Sequence, residues 1–253
     1  MTVLDAVLIT LTGLAAGTIN TVVGSGSLIT FPALLALGYP PLVANVSNNI
    51  GLVPGGVSGA WGYRRELAGM RPLLLRLVPW SAAGGLLGAV LLLVLPTSVF
   101  DAVVVVLIGI ALVLVLVQPR LSVRLRGRGP LAAPSRGRAA ALSLGLFAAS
   151  VYGGYFGAAQ GVVYVALLSL LLIDDLQVAN GVKNVLATVV NGVAAVTFIL
   201  FAHPDWAVVG CIALGSTLGG VLGARMGRRL SPAVLRGVIV VVGVAAIVNI
   251  VLR

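Results

Sequence analysis

Long apolar runs dominate the chain and are separated by short polar stretches. Eight runs are long enough to cross the ~30 Å hydrocarbon core of a membrane as helices. Two shorter runs, at about residues 26 to 38 and 160 to 173, would cover only ~20 Å at ~1.5 Å per residue. The pattern predicts an all-α integral membrane protein with eight spanning helices and two short or broken ones. The eight spanning runs fall at about residues 3 to 23, 42 to 62, 71 to 95, 99 to 118, 138 to 158, 178 to 202, 205 to 226 and 232 to 252.

A six-residue word occurs twice in the chain. GGLLGA at residues 84–89 returns as GGVLGA at residues 219–224, and 219 minus 84 gives a spacing of 135 residues. The same spacing carries Asn45 onto Asn180 and Asn49 onto Asn184 without a gap. The chain is therefore predicted to be a duplicated unit.

The arginines do not follow this repeat. Arg64 and Arg65 correspond to apolar residues of the second half, and Arg225 corresponds to Val90. Positively charged loops stay on the cytoplasmic side of a membrane, so halves that carry arginines at different loops are expected to be inserted in opposite orientations. We therefore predict two inverted-topology repeats of about five segments each, four spanning and one short or broken.

A basic segment separates the two halves. Residues 119 to 138 are rich in Arg, Pro and Gly and lack apolar periodicity, which predicts a solvated linker on the cytoplasmic side. The chain then divides into a first transmembrane repeat over 1–118, a linker over 119–138 and a second repeat over 139–253. In each half the short segment must return the chain toward the side from which it came, which places both termini outside.

Composition excludes other classes of protein. Hydrophobic residues make up 60% of the chain and charged residues 9%, and the mean hydropathy is +1.16, so the polar surface is too small for a soluble globule. The net charge of +10 is explained by orientation in the bilayer rather than by nucleic acid, because nearly all the arginines lie in short loops. The single cysteine, Cys211, excludes an intramolecular disulfide. The N-terminal run contains Asp5 and no basic segment, which predicts a retained helix rather than a cleaved signal.

Glycine-rich stretches precede both short runs. Glycine destabilises a helix interior by about 1 kcal/mol relative to alanine, so such clusters mark either unwinding or close packing between helices. Unwound helices inside a membrane would present N-termini with free N–H groups and a positive dipole end, which together form an anion site. The alternative is that the glycines are only small-residue contacts. The stretches contain Gly17, Asn20, Gly24, Ser25, Gly26 and Ser27 in the first half, and Tyr152, Gly153, Gly154, Tyr155, Gly157, Gln160 and Gly161 in the second.

The third segment of each half carries amide side chains on one face. Amide groups in hydrocarbon need partners, so these faces are expected to point inward. Lys183 is the only lysine of the chain and is either a counter-charge for an anionic substrate or a side chain that snorkels to the interface. The faces consist of Asn45, Asn48 and Asn49 in ANVSNN, and of Asn180, Lys183 and Asn184 in ANGVKN.

The acidic residues all lie near predicted helix ends, which disfavours a cation or metal transporter. One histidine, His203, and one cysteine cannot supply a usual metal site, and no cofactor is predicted. Asp174 and Asp175 are similar to the start of a metal-diphosphate motif, but no second acidic cluster follows. An anion transporter has two alternatives. One is a membrane-embedded enzyme acting on a lipid or diphosphate substrate, and the other is a non-transporting assembly protein with a dry repeat interface.

Three elements resemble the TauE/SafE family of membrane permeases. They are the pattern from Gly17 to Asn45 with its glycine loop and Pro40–Pro41 pair, the YGGYFGAAQG stretch from Tyr152 to Gly161, and ANGVKN. The resemblance implies a bacterial inner-membrane permease for small sulfur-containing anions such as sulfite, sulfoacetate or other organosulfonates.

We therefore predict a homodimeric permease that moves a small organosulfur anion outward across the membrane through a cavity between its repeats. Backbone N–H groups after the glycines would hold the anion, amides would donate to it, and Lys183 would balance its charge. The predicted substrate-binding residues are Asn20, Gly24, Ser25, Gly26, Asn45, Asn48, Asn49, Tyr152, Tyr155, Gly157, Gln160, Gly161, Asn180, Lys183 and Asn184.

Overall fold

Every element of the described chain is an α-helix. The computed structural model describes residues 1–126, 135–226 and 232–251. The two short runs are confirmed as the short helices α2 and α7. The helices are α1 (Val3–Val22), α2 (Ser27–Ala36), α3 (Pro41–Gly62), α4 (Arg71–Val94), α5 (Thr97–Arg126), α6 (Arg136–Tyr155), α7 (Gln160–Leu171), α8 (Leu176–Phe201), α9 (Trp206–Met226) and α10 (Pro232–Val251).

Acidic residues begin three of these helices. Thr2 and Asp5 form a capping box at the start of α1, in which each side chain accepts a backbone N–H of the other residue at 3.1 and 2.7 Å. The Asp175 carboxylate accepts two backbone N–H groups of α8 at 2.7 and 3.2 Å, and Asp205 does the same for α9. These carboxylates satisfy N–H groups that have no partner within the helix.

Helix ends gather at two opposite ends of the bundle. One cavity is lined by Leu42 of α3, Leu95 after α4 and His203 between α8 and α9, so these helix ends share one side, which we call the His203 end. Arg64 after α3 and Arg225 in the last turn of α9 line a second cavity, at what we call the Arg64 end. α3 therefore runs from the His203 end to the Arg64 end.

The second short helix returns the chain to the side where α6 begins. Arg138 in the first turn of α6 donates from Nη2 to the backbone oxygen of Leu171 at the end of α7, at 2.9 Å. Asp174 and Asp175 line a cavity with Gly69 of the loop after α3, so α8 starts at the Arg64 end. Because α7 spans only ~18 Å at ~1.5 Å per residue, the turn between α6 and α7 lies inside the bundle.

The repeated glycine word lies where each half packs against the first helix of the other half. A Cβ on Gly88 of α4 would lie 2.1 Å from the backbone oxygen of Val151 in α6, and a Cβ on Gly219 of α9 would lie 2.2 Å from that of Leu14 in α1. Glycines at such contacts allow two helix backbones to approach closely within a membrane. The repeated word thus lies at two similar packing contacts, α4 on α6 and α9 on α1, as expected for the predicted duplication.

We expect Gly215→Ala to destabilise the protein and Gly210→Ala on the same helix not to do so. A Cβ on Gly215 would lie 2.1 Å from the backbone oxygen of Thr10, whereas nothing lies within 4 Å of a Cβ on Gly210. Both changes gain about 1 kcal/mol of helix propensity, so their difference isolates the clash, which costs about 1 to 3 kcal/mol. Thermal unfolding of the purified variants measures this difference, and equal midpoints would contradict the packing.

Large apolar side chains cover the outside of the bundle. Leu200 is 67% exposed and Leu214 68% exposed, which suits a surface that faces lipid. Five helices are long and apolar enough to cross a membrane, namely α1, α4, α8, α9 and residues Thr97–Val117 of α5. α3 and α6 have 22 and 20 residues, but their asparagines and arginines lower the mean hydropathy. Because α3, α6 and α10 are not among these five helices, the total of eight spanning helices stays a prediction.

The helix α5 passes the predicted end of its span. The sequence predicts a solvated segment from residue 119, whereas α5 continues to Arg126. Residues 120–126 contain leucines and arginines, which are good helix formers, and no glycine, and α5 continues past Pro119 although proline is unfavourable in a helix interior. The helix of the first half is therefore longer than predicted, and residues 127–134 of the predicted linker lie outside the described residues.

Candidate functional site

The broken segments of the two halves meet inside the bundle. The backbone N–H of Gly161 donates to the oxygen of Gly24 at 3.1 Å, and a Cβ on either glycine would lie 2.5 Å from the Cα of the other. Gly24 has a φ of +90° and Gly157 a φ of +80°, conformations that glycine adopts without steric cost. We call residues 20–27 and 157–161 the crossing.

Lys183 closes the end of α1 at the crossing. Its side chain is fully buried, and Nζ donates to the backbone oxygens of Asn20 and Thr21 at 2.9 and 3.0 Å. Asn184 Nδ2 also donates to the oxygen of Thr21, at 3.3 Å. The last carbonyls of a helix lack partners within it, and a cation is favoured at that negative dipole end. The snorkelling alternative for Lys183 is wrong, because its ammonium lies inside the protein.

Asn45 makes the equivalent contact from the first half to the second. Its Nδ2 donates to the backbone oxygen of Tyr155, the last residue of α6, at 3.0 Å. Tyr155 corresponds to Asn20 in the repeat, since 155 minus 20 is 135. The halves therefore exchange helix caps, with α8 closing the end of α1 and α3 closing the end of α6.

The short helices α2 and α7 start at the crossing without side-chain caps. Neither Gly26, which precedes α2, nor Ala159, which precedes α7, provides a side-chain hydrogen bond to the helix start. The backbone N–H of Gly26 reaches Asn20 Oδ1 only at 3.5 Å. The N–H groups of Leu28 and Ile29 in α2, and of Gly161 and Val162 in α7, already donate to backbone oxygens. The two helix starts therefore contribute mainly their positive dipole ends to the crossing.

Four predicted site residues have a buried polar atom without a hydrogen-bond partner among the described residues. These atoms are Ser25 Oγ, Asn48 Nδ2, Asn49 Oδ1 and Tyr152 OH. Asn48 Oδ1 accepts from the hydroxyl of Thr30 in α2, which leaves the amide nitrogen as a donor. An unpaired buried polar group costs about 1 to 3 kcal/mol, so these atoms are candidates for hydrogen bonds to a ligand. The Ser25 and Tyr152 hydroxyls and the Asn48 amide nitrogen can donate to an anion, whereas Asn49 Oδ1 only accepts.

The structure brings part of the predicted set together. Tyr152 and Tyr155 are not among the residues in contact at the crossing, and their rings pack in an aromatic cluster. The Tyr152 ring centroid lies 6.4 Å from that of Phe156, and the Tyr155 ring centroid lies 5.8 Å from that of Phe100. Asn49 and Asn180 are buried on α3 and α8, and the three cavities at the bundle ends are lined by none of the predicted residues. The residues joined by contacts at the crossing are Asn20, Gly24, Gly26, Gly161, Lys183 and Asn184.

Close packing also explains several break glycines, as the alternative interpretation held. A Cβ on Gly17 would lie 2.3 Å from the backbone oxygen of Ser216, and a Cβ on Gly154 would lie 2.1 Å from that of Gly85. These two glycines sit at contacts between helices. Gly24 and Gly161 differ, because their close approach joins the two breaks themselves.

Sequence reasoning missed several hydrogen-bonding residues near the site. Thr30 and Thr21 lie in apolar stretches of the sequence. The one signal for Thr30 is that it is a polar residue one helical turn after the first glycine break. Gln160 Nε2 donates to Tyr164 OH at 2.7 Å, and this hydroxyl lies 2.6 Å from Ser150 Oγ. Tyr164 was hidden within the apolar run of α7.

Carboxylates and metal-ligating groups stay apart from the crossing. Across residues 1–126, 135–226 and 232–251, no group of three or more His, Cys, Asp or Glu is placed to hold a metal ion. The Asp175 carboxylate is used as the N-cap of α8. The chemistry gathered at the crossing consists of hydrogen-bond donors and one ammonium group.

Helices of spanning length, together with two short helices that start where broken segments meet, define a multi-pass membrane transporter. Residues 9–250 match the family described as Sulfite exporter TauE/SafE. The chain belongs to that family, which confirms the resemblance predicted from its motifs.

Relatives cover most of the chain. A probable membrane transporter protein of Haemophilus influenzae is 27% identical over 90% of this chain and 88% of its own. The probable membrane transporter protein YfcA of Escherichia coli K12 is 28% identical over 85% of this chain and 76% of its own. A probable membrane transporter protein of Sinorhizobium sp is 28% identical over 91% of this chain and 86% of its own. No solved structure matches the chain.

Proposed function

We propose that this transporter moves small organosulfur anions, such as sulfite, sulfoacetate or other sulfonates, outward across the bacterial inner membrane. The observation that carries the proposal is the meeting of two uncapped helix starts with a buried lysine at the crossing. The description of the family as sulfite exporters supports the substrate class.

The helix directions support two inverted repeats. α3 runs from the His203 end to the Arg64 end, while its counterpart α8 starts at the Arg64 end and finishes beside His203. Since the arginines of the described loops lie at the Arg64 end, the positive-inside rule assigns that end to the cytoplasm. In this account the transport path joins the two ends through the crossing.

The donors at the crossing suit a sulfonate or sulfite group. Such groups carry negative charge on oxygens that only accept hydrogen bonds. Backbone N–H groups at helix starts attract anions, and the unpaired Ser25 hydroxyl and Asn48 amide add side-chain donors. An ammonium has three N–H bonds, of which Lys183 gives two to the end of α1. The third is assigned to the anion.

Transport requires the crossing to open toward each side in turn. Rocking of one repeat against the other would separate Gly24 from Gly161, which are in contact here. No carboxylate lies at the crossing among the described residues to carry a coupled proton. A membrane potential of 100 mV, negative inside, favours exit of an anion by about 2.3 kcal/mol per charge, so we infer export driven by the gradient and the potential.

Uptake of labelled sulfonates into proteoliposomes tests this function. We expect flux in the wild type and a loss of about tenfold or more in Lys183→Ala and Asn49→Ala, because the Lys183 ammonium and the Asn49 amide nitrogen are both predicted to donate to the anion. Asn191→Ala, the same kind of truncation farther along α8, serves as the control and should keep its flux. Equal flux in all variants would overturn the site, and absence of flux for every sulfur anion would overturn the function.

A further inference from the structure

A basic cavity lies between the ends of α3 and α9, away from the crossing. Its volume is about 560 Å³, and its lining includes Arg64, Arg65, Arg225 and Glu66. Three positive side chains and one carboxylate leave a formal charge of 3 − 1 = +2 on the lining. The proposed substrate site uses none of these residues.

Trp61 fixes one of these arginines at the depth of the membrane surface. The indole is 70% exposed, the guanidinium carbon of Arg64 lies 5.4 Å from its ring centroid, and Arg64 Nη1 donates to the Trp61 backbone oxygen at 3.2 Å. Tryptophan is enriched at membrane interfaces, and a cation over its ring is attracted to it. The Arg64 guanidinium is therefore expected at headgroup level.

An apolar strip leads from the cavity toward the middle of the membrane. Val57 lies one turn before Trp61 on α3, and Leu218 and Leu222 precede Arg225 on α9; all three aliphatic side chains are exposed. Residues three, four or seven apart share one face of a helix, so the strip is continuous with the cavity. The α3 and α9 walls are joined beside it, since Ser58 Oγ donates to the backbone oxygen of residue 217 at 3.0 Å. A ligand that fits both parts has an anionic head and apolar tails.

We propose that this cavity binds the phosphate headgroup of an anionic phospholipid of the cytoplasmic leaflet, with its acyl chains along the strip of Val57, Leu218 and Leu222. Guanidinium groups match phosphate oxygens with two parallel hydrogen bonds. Basic pockets between transmembrane helices on the cytoplasmic side recognise such headgroups. The bound lipid would tie the cytoplasmic ends of α3 and α9 together.

Native mass spectrometry of the purified chain tests the proposal by titration with phosphatidylglycerol or with phosphatidylethanolamine of the same acyl chains. Loss of each arginine is expected to weaken phosphatidylglycerol binding roughly five-fold, and so about 25-fold in Arg64→Gln/Arg225→Gln. Arg71→Gln/Arg76→Gln removes the same charge from α4 outside the cavity and should retain wild-type affinity. Equal weakening in both double variants, or equally tight phosphatidylethanolamine, would overturn the proposal.

Glycerol 3-phosphate separates a lipid from a soluble anion as the ligand. We expect it not to displace bound phosphatidylglycerol at matched concentrations, and displacement would assign the cavity to soluble phosphates instead. A second measurement leaves the arginines unchanged and follows the fluorescence of Trp61. The other two tryptophans are replaced in a Trp80→Phe/Trp206→Phe variant, so that only Trp61 contributes to the signal. Phosphatidylglycerol with brominated chains should quench Trp61 at lower concentrations than brominated phosphatidylethanolamine, and equal quenching by the two would count against the site.

Discussion

Gly24→Ala is expected to abolish transport and to lower the stability of the folded protein. The new methyl group would lie 2.5 Å from the Cα of Gly161 and 2.8 Å from its carbonyl carbon, and neither atom belongs to a side chain that can turn away. The clash would cost about 1 to 3 kcal/mol, and the φ of +90° at residue 24 adds backbone strain of about 1 to 3 kcal/mol. Sulfonate flux in proteoliposomes and thermal unfolding in detergent measure the two effects.

Gly38→Ala is the matched control for this change. Gly38 has a φ of +88°, almost the same as Gly24, but nothing lies within 4 Å of a Cβ placed on it. The Gly38→Ala variant should therefore lose stability only through backbone strain, without a clash, and should keep its sulfonate flux. If both variants lost the same amount of flux and stability, contact between the two breaks would not be what Gly24 provides.

Lys183→Met is expected to cause the second large loss. The methionine side chain has a similar length but donates no hydrogen bond, so the Asn20 oxygen loses its 2.9 Å bond to the ammonium. The Thr21 oxygen loses a 3.0 Å bond but keeps the one from Asn184. At about 1 to 3 kcal/mol for one unpaired buried group, we expect the free energy of unfolding to fall by about that amount. Flux should fall at least tenfold, since the charge assigned to the anion is also gone.

Arg138→Met removes a cationic helix cap of the same kind from a more exposed place. Arg138 donates to the end of α7 at 2.9 Å, and a cap at a partly exposed helix end contributes about 0.3 to 1 kcal/mol. If Lys183→Met behaved like Arg138→Met, the role of Lys183 at the crossing would be refuted.

The sequence predicted the architecture better than the contacts within it. Apolar runs and the repeat located the helices, and the glycine clusters located both breaks, because helix length and glycine content are local properties. That Lys183 closes the end of α1 could not be read locally, since its partners Asn20 and Thr21 lie 163 and 162 residues away in the chain. Asn45 was likewise assigned to the substrate, while the structure gives its amide to the carbonyl of Tyr155.

The repeat itself limited what could be inferred. Equivalence of the halves explained Gly84 and Gly219, which both pack against the backbone of the first helix of the other half. It gave no guide to Thr30 or Tyr164, whose counterparts at the spacing of 135 are Val165 and Ile29. Polar groups present in only one half were therefore missed, although they bond to the predicted residues Asn48 and Gln160.

The central claim is that anions pass through the crossing, and labelling of a Ser25→Cys variant tests it most directly. Ser25 is fully buried with an unpaired hydroxyl among the described residues, and replacing Cys211, the one native cysteine, by alanine leaves a single thiol. We predict that a sulfonate-bearing thiosulfonate reagent labels this thiol during transport and that sulfoacetate slows the labelling. In the control variant Ser150→Cys, whose position is equally buried, the thiol should stay unlabelled. Sulfonate flux through a Ser25→Cys protein that is never labelled, or is labelled at a rate that sulfoacetate leaves unchanged, would contradict the account.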